Sequence, residues 1–389
     1  MALATGLLVA SLYYAQPLLA TLAQAFRVTP AEAGWIVTLT QLGYALGLLL
    51  IVPLGDLLDR RRLTLSLVLP SALALLGLAL SGHLLLFLAL SSCVGLTSVS
   101  VQILVPFAAS LAPPHERGRV VGTVMSGLLL GILLARTFSG LVAQVWSWQA
   151  VYLLAAFLLL LLALLLSRSL PHDLPKPSFS YWSLLSSIVR LVRSEPLLRW
   201  RSLLGALVFA AFNLFWTSFA FLLSRPPYHF NNAEIGLFGL VGAAGALSAS
   251  LAGRLADRGL ALRSTFFFAL TILVAFFLLV WDSDELLLLI LSVLILDFGI
   301  QGLHITNQTE IYSLPTHVRS RVTTVYLTTY FLGGAAGSWL STHLFTLAGW
   351  RGVMGAGLLD GLVLVLLSLL GWRGASRSQE TQEVVSKDH

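Results

Sequence analysis

Four ionisable side chains stand inside stretches that are otherwise almost free of charge: Arg136, Asp297, Glu310 and Asp360. Holding such a group near the middle of a bilayer costs roughly 2.5–3.5 kcal/mol on insertion scales, so each calls for a partner or a task. A carboxyl group can take up and release a proton, and Asp297, near the middle of its apolar run, is the leading candidate for that chemistry. Glu310 and Asp360 are the other proton-coupling candidates. Internal pairing would account for Asp360, and a surface charge network for Glu310. A guanidinium keeps its charge, so Arg136 needs an anion, a polar network or water. A structural or gating pair suits it better than a substrate anchor.

A second set of side chains is polar without charge. It comprises Tyr13, Tyr14, Gln16, Gln41, Tyr44, Gln102, Asn213, Trp216, His304, Asn307, Gln308, Tyr326 and Tyr330. Amides hydrogen-bond hydroxyls and carbonyls, while tyrosine and tryptophan offer flat apolar faces. Such a lining suits a neutral amphipathic or sugar-like small molecule, although interhelical bonding accounts for about half of the set. Enzyme chemistry finds no footing. Cys93 is the single cysteine, and the sequence holds no metal-ligand spacing, phosphate-cradling loop or Gly-x-Ser-x-Gly turn. Neither a metal nor a cofactor is expected, and any work must draw on an ion or solute gradient such as that of protons.

A third pattern is an acidic–basic cluster that occurs twice. Gly55-Asp56-Leu57-Leu58-Asp59-Arg60-Arg61-Arg62 closes one apolar stretch and Gly253-Arg254-Leu255-Ala256-Asp257-Arg258 closes another, 198 residues later. A carboxylate such as Asp59 is stabilised at a helix N-terminus, and arginines pair with neighbouring acids. The expected role is a cytoplasmic latch in which Asp59 meets the start of the apolar run that begins near residue 321. Asp56, Asp59, Arg60, Arg62, Asp257, Arg258, Arg119, Arg321 and Arg136 are the candidate gating charges.

The elements that must position these groups follow from composition. The 389 residues are 57% hydrophobic and 10% charged, against about 25% charged in soluble domains. Runs of about 20 apolar residues suffice to cross a bilayer as helices. Reading these runs predicts twelve, at approximately 2–23, 33–55, 63–81, 84–111, 119–146, 149–170, 199–223, 233–255, 263–281, 285–313, 321–347 and 350–371. No basic region precedes the first run, so it reads as a span rather than a cleaved signal. Because the chain opens almost inside that helix, a native N-terminal tail is expected to precede it.

With the N-terminus cytoplasmic, 19 of the 23 Lys and Arg fall on the cytoplasmic side or in the C-terminal tail, which sets the orientation. Both termini are then cytoplasmic, and the net charge of +6 reports topology rather than a nucleic-acid partner. Pro113-Pro114-His115-Glu116-Arg117-Gly118-Arg119 repeats as Pro315-Thr316-His317-Val318-Arg319-Ser320-Arg321 at an offset of 202, which also pairs Gly131 with Gly333 and Trp148 with Trp350. The fold class is an all-α membrane protein of twelve transmembrane helices in two pseudo-symmetric six-helix bundles. The bundles are expected at 1–170 and 199–372, with a cytoplasmic linker at 171–198 and a disordered cytoplasmic tail at 373–389.

On these motifs the chain resembles the major facilitator superfamily of transporters. It is most similar to bacterial drug and sugar efflux members of the drug:proton antiporter type, through Tyr13-Tyr14-Ala15-Gln16-Pro17-Leu18-Leu19 and the Gly131–Gly140 segment. The resemblance implies two bundles that rock about a central site, with helices 1, 4, 7 and 10 lining a cavity and helices 2, 5, 8 and 11 between the halves. Small residues in helices 5, 8 and 11 (Gly127, Gly131, Ala135, Ser139; Gly245, Ala249, Gly253; Gly333 to Ser338) are expected at that moving interface. The implied function is export of a small amphipathic compound by proton antiport, from a monomer in the bacterial inner membrane. Uptake or exchange of an organic anion, with Arg136 as counter-charge, and a non-transporting receptor on the same fold are the alternatives. The chain departs from the efflux pattern at Ser91, where an arginine commonly precedes the helix 4 glycine, and at Gly131-Ile132, where a Gly-Pro step is usual.

Overall fold

The computed structural model describes residues 1–113, 115–173, 180–242, 244–281, 284–315 and 318–387, with backbone alone at 244, 246, 247, 249, 250, 256, 257 and 372–387. The described residues are helices and short connections. The first span is broken: α1 (Ala2–Ala10) gives way to a turn and a short 3-10 segment, Gln16–Leu18, before α2 (Leu19–Phe26). Pro17 sits at the start of that segment, where its missing N–H and fixed ring cannot continue a regular helix. The break sets Tyr13, Tyr14 and Gln16 on an irregular, buried turn in mid-span.

There follow α3 (Pro30–Leu50), extended by a 3-10 turn to Asp56, then α4 (Arg60–Leu80), α5 (Leu84–Ser98), α6 (Ser100–Leu111), α7 (Arg117–Val145) and α8 (Trp148–Ser169). A linker helix, α9 (Tyr181–Ser194), precedes α10 (Pro196–Leu223), α11 (Asn232–Val241), α12 (Ala244–Asp257), α13 (Ala261–Trp281), α14 (Leu286–Ile311) and α15 (Arg319–Lys387). Nine segments of the described residues are long and apolar enough to cross a membrane. α15 turns at Gly349, whose φ of 64° lies in the left-handed region, so it contributes two spans. With the pairs α1–α2 and α11–α12, the count of twelve is complete. The expected tail at 373–389 falls on side chains outside the described residues.

The two halves repeat down to their helix starts. Thr29 and Glu32 form a capping box that opens α3, and Asn231 and Glu234 form one that opens α11. In each, the first side chain accepts from the backbone of the third helical residue while the glutamate reaches back, satisfying otherwise orphaned N–H groups. Two residues before each box stands a non-glycine residue in the left-handed region, Arg27 at φ 56° and His229 at φ 52°. All these pairs lie 202 residues apart. The capping boxes mark one end of the bundle as a symmetric pair of entry turns.

That end is sealed. Beyond the caps, Gly34 of α3 lies against Thr342 of α15, and Gly236 of α11 lies against Gly140 and the Arg136 carbonyl of α7. These two contacts are mates under the same offset, since 34 and 140 become 236 and 342. A Cβ at Gly140 would meet the Asn232 carbonyl and Gly236. The Thr38 hydroxyl hydrogen-bonds the Ser338 hydroxyl (3.2 Å), the Thr137 hydroxyl donates to the Gly236 carbonyl (3.1 Å), and Thr21 donates to Asn232 (2.7 Å). At the opposite end, where the Asp59 loop lies, Gly118, Gly122 and Gly253 have open space beside them. There α12 packs on α13 and α14 of its own half. Among the described residues, the halves are therefore closed at one end and parted at the other.

The small-residue expectation is only partly met. Gly127 and Gly131 pack on Ala2 and Gly6 of α1, and Gly333 and Gly337 on Ala206 and Ala210 of α10, each within its own half. Gly245 rests on α14 at Asp297 and Gln301, again within one half. Static packing explains these positions, because a small residue lets two helix backbones approach wherever they cross. The glycines that meet the other half are Gly34, Gly140, Gly236 and Gly239, the last against the Arg136 side chain.

Candidate functional site

One turn inward from the Gly140–Gly236 contact, α7 carries Arg136 into the centre of the molecule. It is buried, and its Nε donates to the Gln16 Oε1 at the break of the first span (2.9 Å). The guanidinium lies 4.2 Å from the Trp216 ring centroid and 5.2 Å from those of Tyr13 and Phe212. A cation over a desolvated aromatic face gains about 2 kcal/mol or more, and three rings partly replace the water that Arg136 has lost. The Trp216 indole N–H donates to Asp297 Oδ1 (3.2 Å). Trp216 thus touches both the Arg136 guanidinium and the Asp297 carboxyl and links the two. Arg136 belongs to the N-terminal half, whereas Trp216 and Asp297 belong to the C-terminal half.

A cavity of about 10 Å³, the room of one water, is lined by Gln16, Pro17, Arg136, Trp216, Phe219, Ala220 and Ile235. Among the described residues, Arg136 Nη2 and Gln16 Nε2 are buried without a hydrogen-bond partner. Both are donors. An acceptor entering this cavity would satisfy two groups whose desolvation costs about 1–3 kcal/mol each.

The uncharged candidates fall into two clusters. Nearer the centre, Gln41 Nε2 donates to Asn213 Oδ1 across the halves (3.3 Å), and Gln102 Nε2 donates to the Tyr44 hydroxyl (3.3 Å). Tyr44 also meets Phe331 of the other half at 4.2 Å between centroids, and Tyr14 lies 5.7 Å from Phe138. Within the C-terminal half, Tyr330 stacks on Phe209 at 4.1 Å and lies 4.5 Å from His304, whose ring nitrogen hydrogen-bonds the Tyr326 hydroxyl (3.0 Å). Gln308 is half-buried on α14.

Glu310 does not join the central site. It accepts from Arg201 Nη2 (3.1 Å), while Arg201 Nη1 donates to Thr265 (2.8 Å) and Asn307 (3.3 Å). Arg201 reads in the sequence as one more basic residue at a helix entry, yet its side chain is 2% exposed against 30% for Glu310. This asymmetry carries a prediction. Glu310→Gln leaves a buried cation uncompensated and is expected to cost about 3 kcal/mol. Arg201→Gln leaves an anion that reaches water and should cost clearly less. Thermal unfolding of the purified variants checks the order. Asp360 also stays apart from the central site, half-buried on α15 between Gly357 and Gly361, which pack on Phe276 and Leu273 of α13.

At the parted end, the Asp59 and Arg60 side chains find their partners within the N-terminal half and the start of the linker. Asp59 is buried and caps its own helix, α4, by accepting from the Arg61 and Arg62 N–H groups. Its other oxygen accepts from His172 Nδ1 (2.6 Å), and Arg62 lies 4.0 Å away. Arg60 reaches Asp173 (3.2 Å) and Asp56 (3.9 Å), and Arg61 donates to the Ser167 carbonyl. The start of the linker is therefore clipped to the N-terminal half. Burial raises the Asp56 carboxyl, against the opposing attraction of Arg60 and, from the start of α15 in the other half, of Arg321. Arg119 and Arg258 are exposed, and the Asp257 side chain lies outside the described residues.

Burial alone would raise the Asp59 carboxyl, but the hydrogen bonds from His172, Arg62, Arg61 and Asp173 outweigh it and hold the group below the ordinary carboxylate value. A depressed value contributes stability that is present above the unfolded carboxylate's pKa, about 3.9, and is lost as pH falls through the folded one. Asp59→Ala should accordingly cost about 1 kcal/mol at neutral pH and flatten the acid limb of a melting-temperature titration. An unchanged acid limb would show that the cap carries no such linkage.

A twelve-span bundle of two repeated halves, sealed at one end around a central cation and carboxylate, is the architecture of a membrane transporter. The chain belongs to the Major Facilitator Superfamily, whose family model matches residues 1–338. It is 48% identical over 380 residues to the putative transporter YgaY of Escherichia coli K12, covering 97% of this chain and 95% of that protein. It is 35% identical over 357 residues to the probable transporter SCO4007 of Streptomyces coelicolor, covering 90% and 82% respectively. Among solved structures, a bacterial homologue of the human lysosomal transporter Spinster, in an inward-facing and occupied conformation, superposes with a TM-score of 0.78 at 14% identity, covering 96% of this chain and 95% of that one. The xylose transporter XylE of Escherichia coli, partially occluded and inward open, gives 0.74 at 15% identity with the same coverage. The protein is a multi-pass membrane transporter of this superfamily.

Proposed function

We propose that this transporter exports a small amphipathic compound, drug-like or sugar-like, in exchange for protons across the bacterial inner membrane. The observation that carries this reading is the Arg136–Trp216–Asp297 bridge, which joins the halves one turn inside the seal. In its ionised form Asp297 attracts Arg136 and holds the halves together at that level. A proton on Asp297 cancels the attraction, so the charge state of one carboxyl biases which end is shut. The aromatic and amide lining, with Tyr44, Trp216 and Tyr330 beside Gln41 and Asn213, supports a neutral amphiphile as cargo. The basic residues gathered at the Asp59-loop end support placing that end, and both termini, in the cytoplasm, which makes the sealed end periplasmic.

The test is purified protein in liposomes under an imposed pH gradient, screened with dyes, sugars and organic acids. Gradient-dependent movement of at least one amphiphile is expected; no solute movement and no proton flux would end the reading. A second reading, exchange of an organic anion, is favoured by the unpartnered donors Arg136 Nη2 and Gln16 Nε2. If Arg136→Gln left anion movement intact, that second reading would fail.

A further inference from the structure

The linker helix α9 has an apolar surface wider than the protein covers. Leu184, Ile188 and Leu191 are buried against the ends of the bundle. Beside them on the helix run Leu185 and Val192, partly buried, and then Val189 and Trp182, which are 53% and 77% exposed. At 100° per residue these four positions form a continuous stripe next to the buried one. Arg193 and Arg190 follow on the adjoining polar face, both exposed, together with Ser183 and Ser186.

Position decides what can cover this stripe. α9 lies between α8, which ends a span at Ser169, and α10, which begins one at Pro196. Both of its neighbours in the chain are therefore at the membrane surface, and the helix is held there. The Tyr181 hydroxyl donates to the Leu50 carbonyl at the end of α3, and Leu184, Ile188 and Leu191 pack inward. A helix fixed at the surface with one apolar edge uncovered, a tryptophan on that edge and arginines beside it matches an interfacial helix, whose apolar side enters the headgroup–acyl boundary. Tryptophan favours that depth, and arginine stems can lie along lipid while their heads reach phosphates.

We propose that α9 is seated in the bilayer surface on the Asp59-loop side, with Trp182 and Val189 inserted and Arg190 and Arg193 binding the headgroups of anionic phospholipid. The charge of the stripe's flank selects the lipid, since anionic headgroups attract basic residues held at the surface and neutral ones do not. The same helix touches the 3-10 turn after α3 in one half and both α10 and α15 in the other. Seating it in lipid therefore acts where the two halves part, and it does so independently of what the central site carries.

Site-directed nitroxide labelling of the full chain in vesicles tests this. Cys93 is the single native cysteine, so Cys93→Ser provides the background for Val189→Cys and Leu185→Cys on the stripe and for Ser186→Cys on the polar face. In phosphatidylcholine vesicles containing phosphatidylglycerol, labels at 185 and 189 should collide severalfold more with oxygen than with a water-soluble nickel chelate, and the label at 186 the reverse. Removing phosphatidylglycerol, or introducing Arg190→Gln with Arg193→Gln, should shift the stripe labels toward water. Stripe labels as accessible to nickel as the label at 186 would overturn the proposal and assign the stripe to water or a soluble protein. A depth unchanged by phosphatidylglycerol and by the arginine variants would overturn the anionic-lipid assignment.

Discussion

Asp297→Asn is expected to abolish proton-driven solute accumulation and leave the protein folded. Asparagine keeps the shape of the side chain and can still accept the Trp216 indole hydrogen bond at the position now 3.2 Å away. What it lacks is the charge that attracts Arg136 and the ability to bind and release a proton. Coupling should therefore fall to the level seen with no gradient imposed, while exchange of labelled for unlabelled solute persists. Retained exchange separates a lost proton site from a collapsed cavity. Arg136 already has Gln16 and three aromatic rings around it, so the loss of its distant counter-charge should reduce stability only moderately. If accumulation survived in the variant, Asp297 would have no part in coupling.

Gly140→Leu is expected to open the sealed end. The glycine allows the Asn232 carbonyl and Gly236 to approach the α7 backbone, and even a Cβ would clash with both. The obstacle is main chain on both sides, which cannot rotate away as a side chain would. Overpacking of this kind costs about 1–3 kcal/mol. A penalty of 2 kcal/mol on the sealed state alone shifts the balance of states about thirtyfold. Nitroxides at Val145→Cys and Arg225→Cys, in the Cys93→Ser background, report the separation of the halves at that end. The variant should show a longer distance and reduced transport. A distance equal to that of the parent would mean that the seal does not depend on this crossing.

Much of this was legible in the chain. The twelve apolar runs and the loop motifs reflect chemistry that acts locally, since length and polarity decide whether a segment can cross a bilayer. The Thr29–Glu32 and Asn231–Glu234 boxes, which the reading of apolar runs passed over, repeat at the same offset of 202 as the second loop motif. Partners were harder. Arg201 lies two residues from the exposed Arg199, and linear position shows depth in the membrane but not the direction a side chain faces. Its ligands Thr265 and Asn307 are 64 and 106 residues away on other helices. Gly127, Gly131 and Gly140 look alike as spaced small residues, yet the first two meet α1 and the third meets α11. Spacing tells which residues share a face, and only packing tells which helix that face meets. Asp59 illustrates the same limit: the motif marks a carboxylate at a helix start, but its partner His172, 113 residues away, is set by packing.

On the proposed reading, one carboxyl between the two halves, Asp297, couples solute movement to protons. The most direct measurement follows solute and internal pH together in liposomes carrying either the parent protein or Asp297→Asn. Outward solute movement should acidify the lumen, because solute that leaves is exchanged for protons that enter, and this proton signal should vanish in the variant while solute exchange continues. Solute movement of equal rate with the gradient imposed or collapsed, and unchanged in Asp297→Asn, would contradict it.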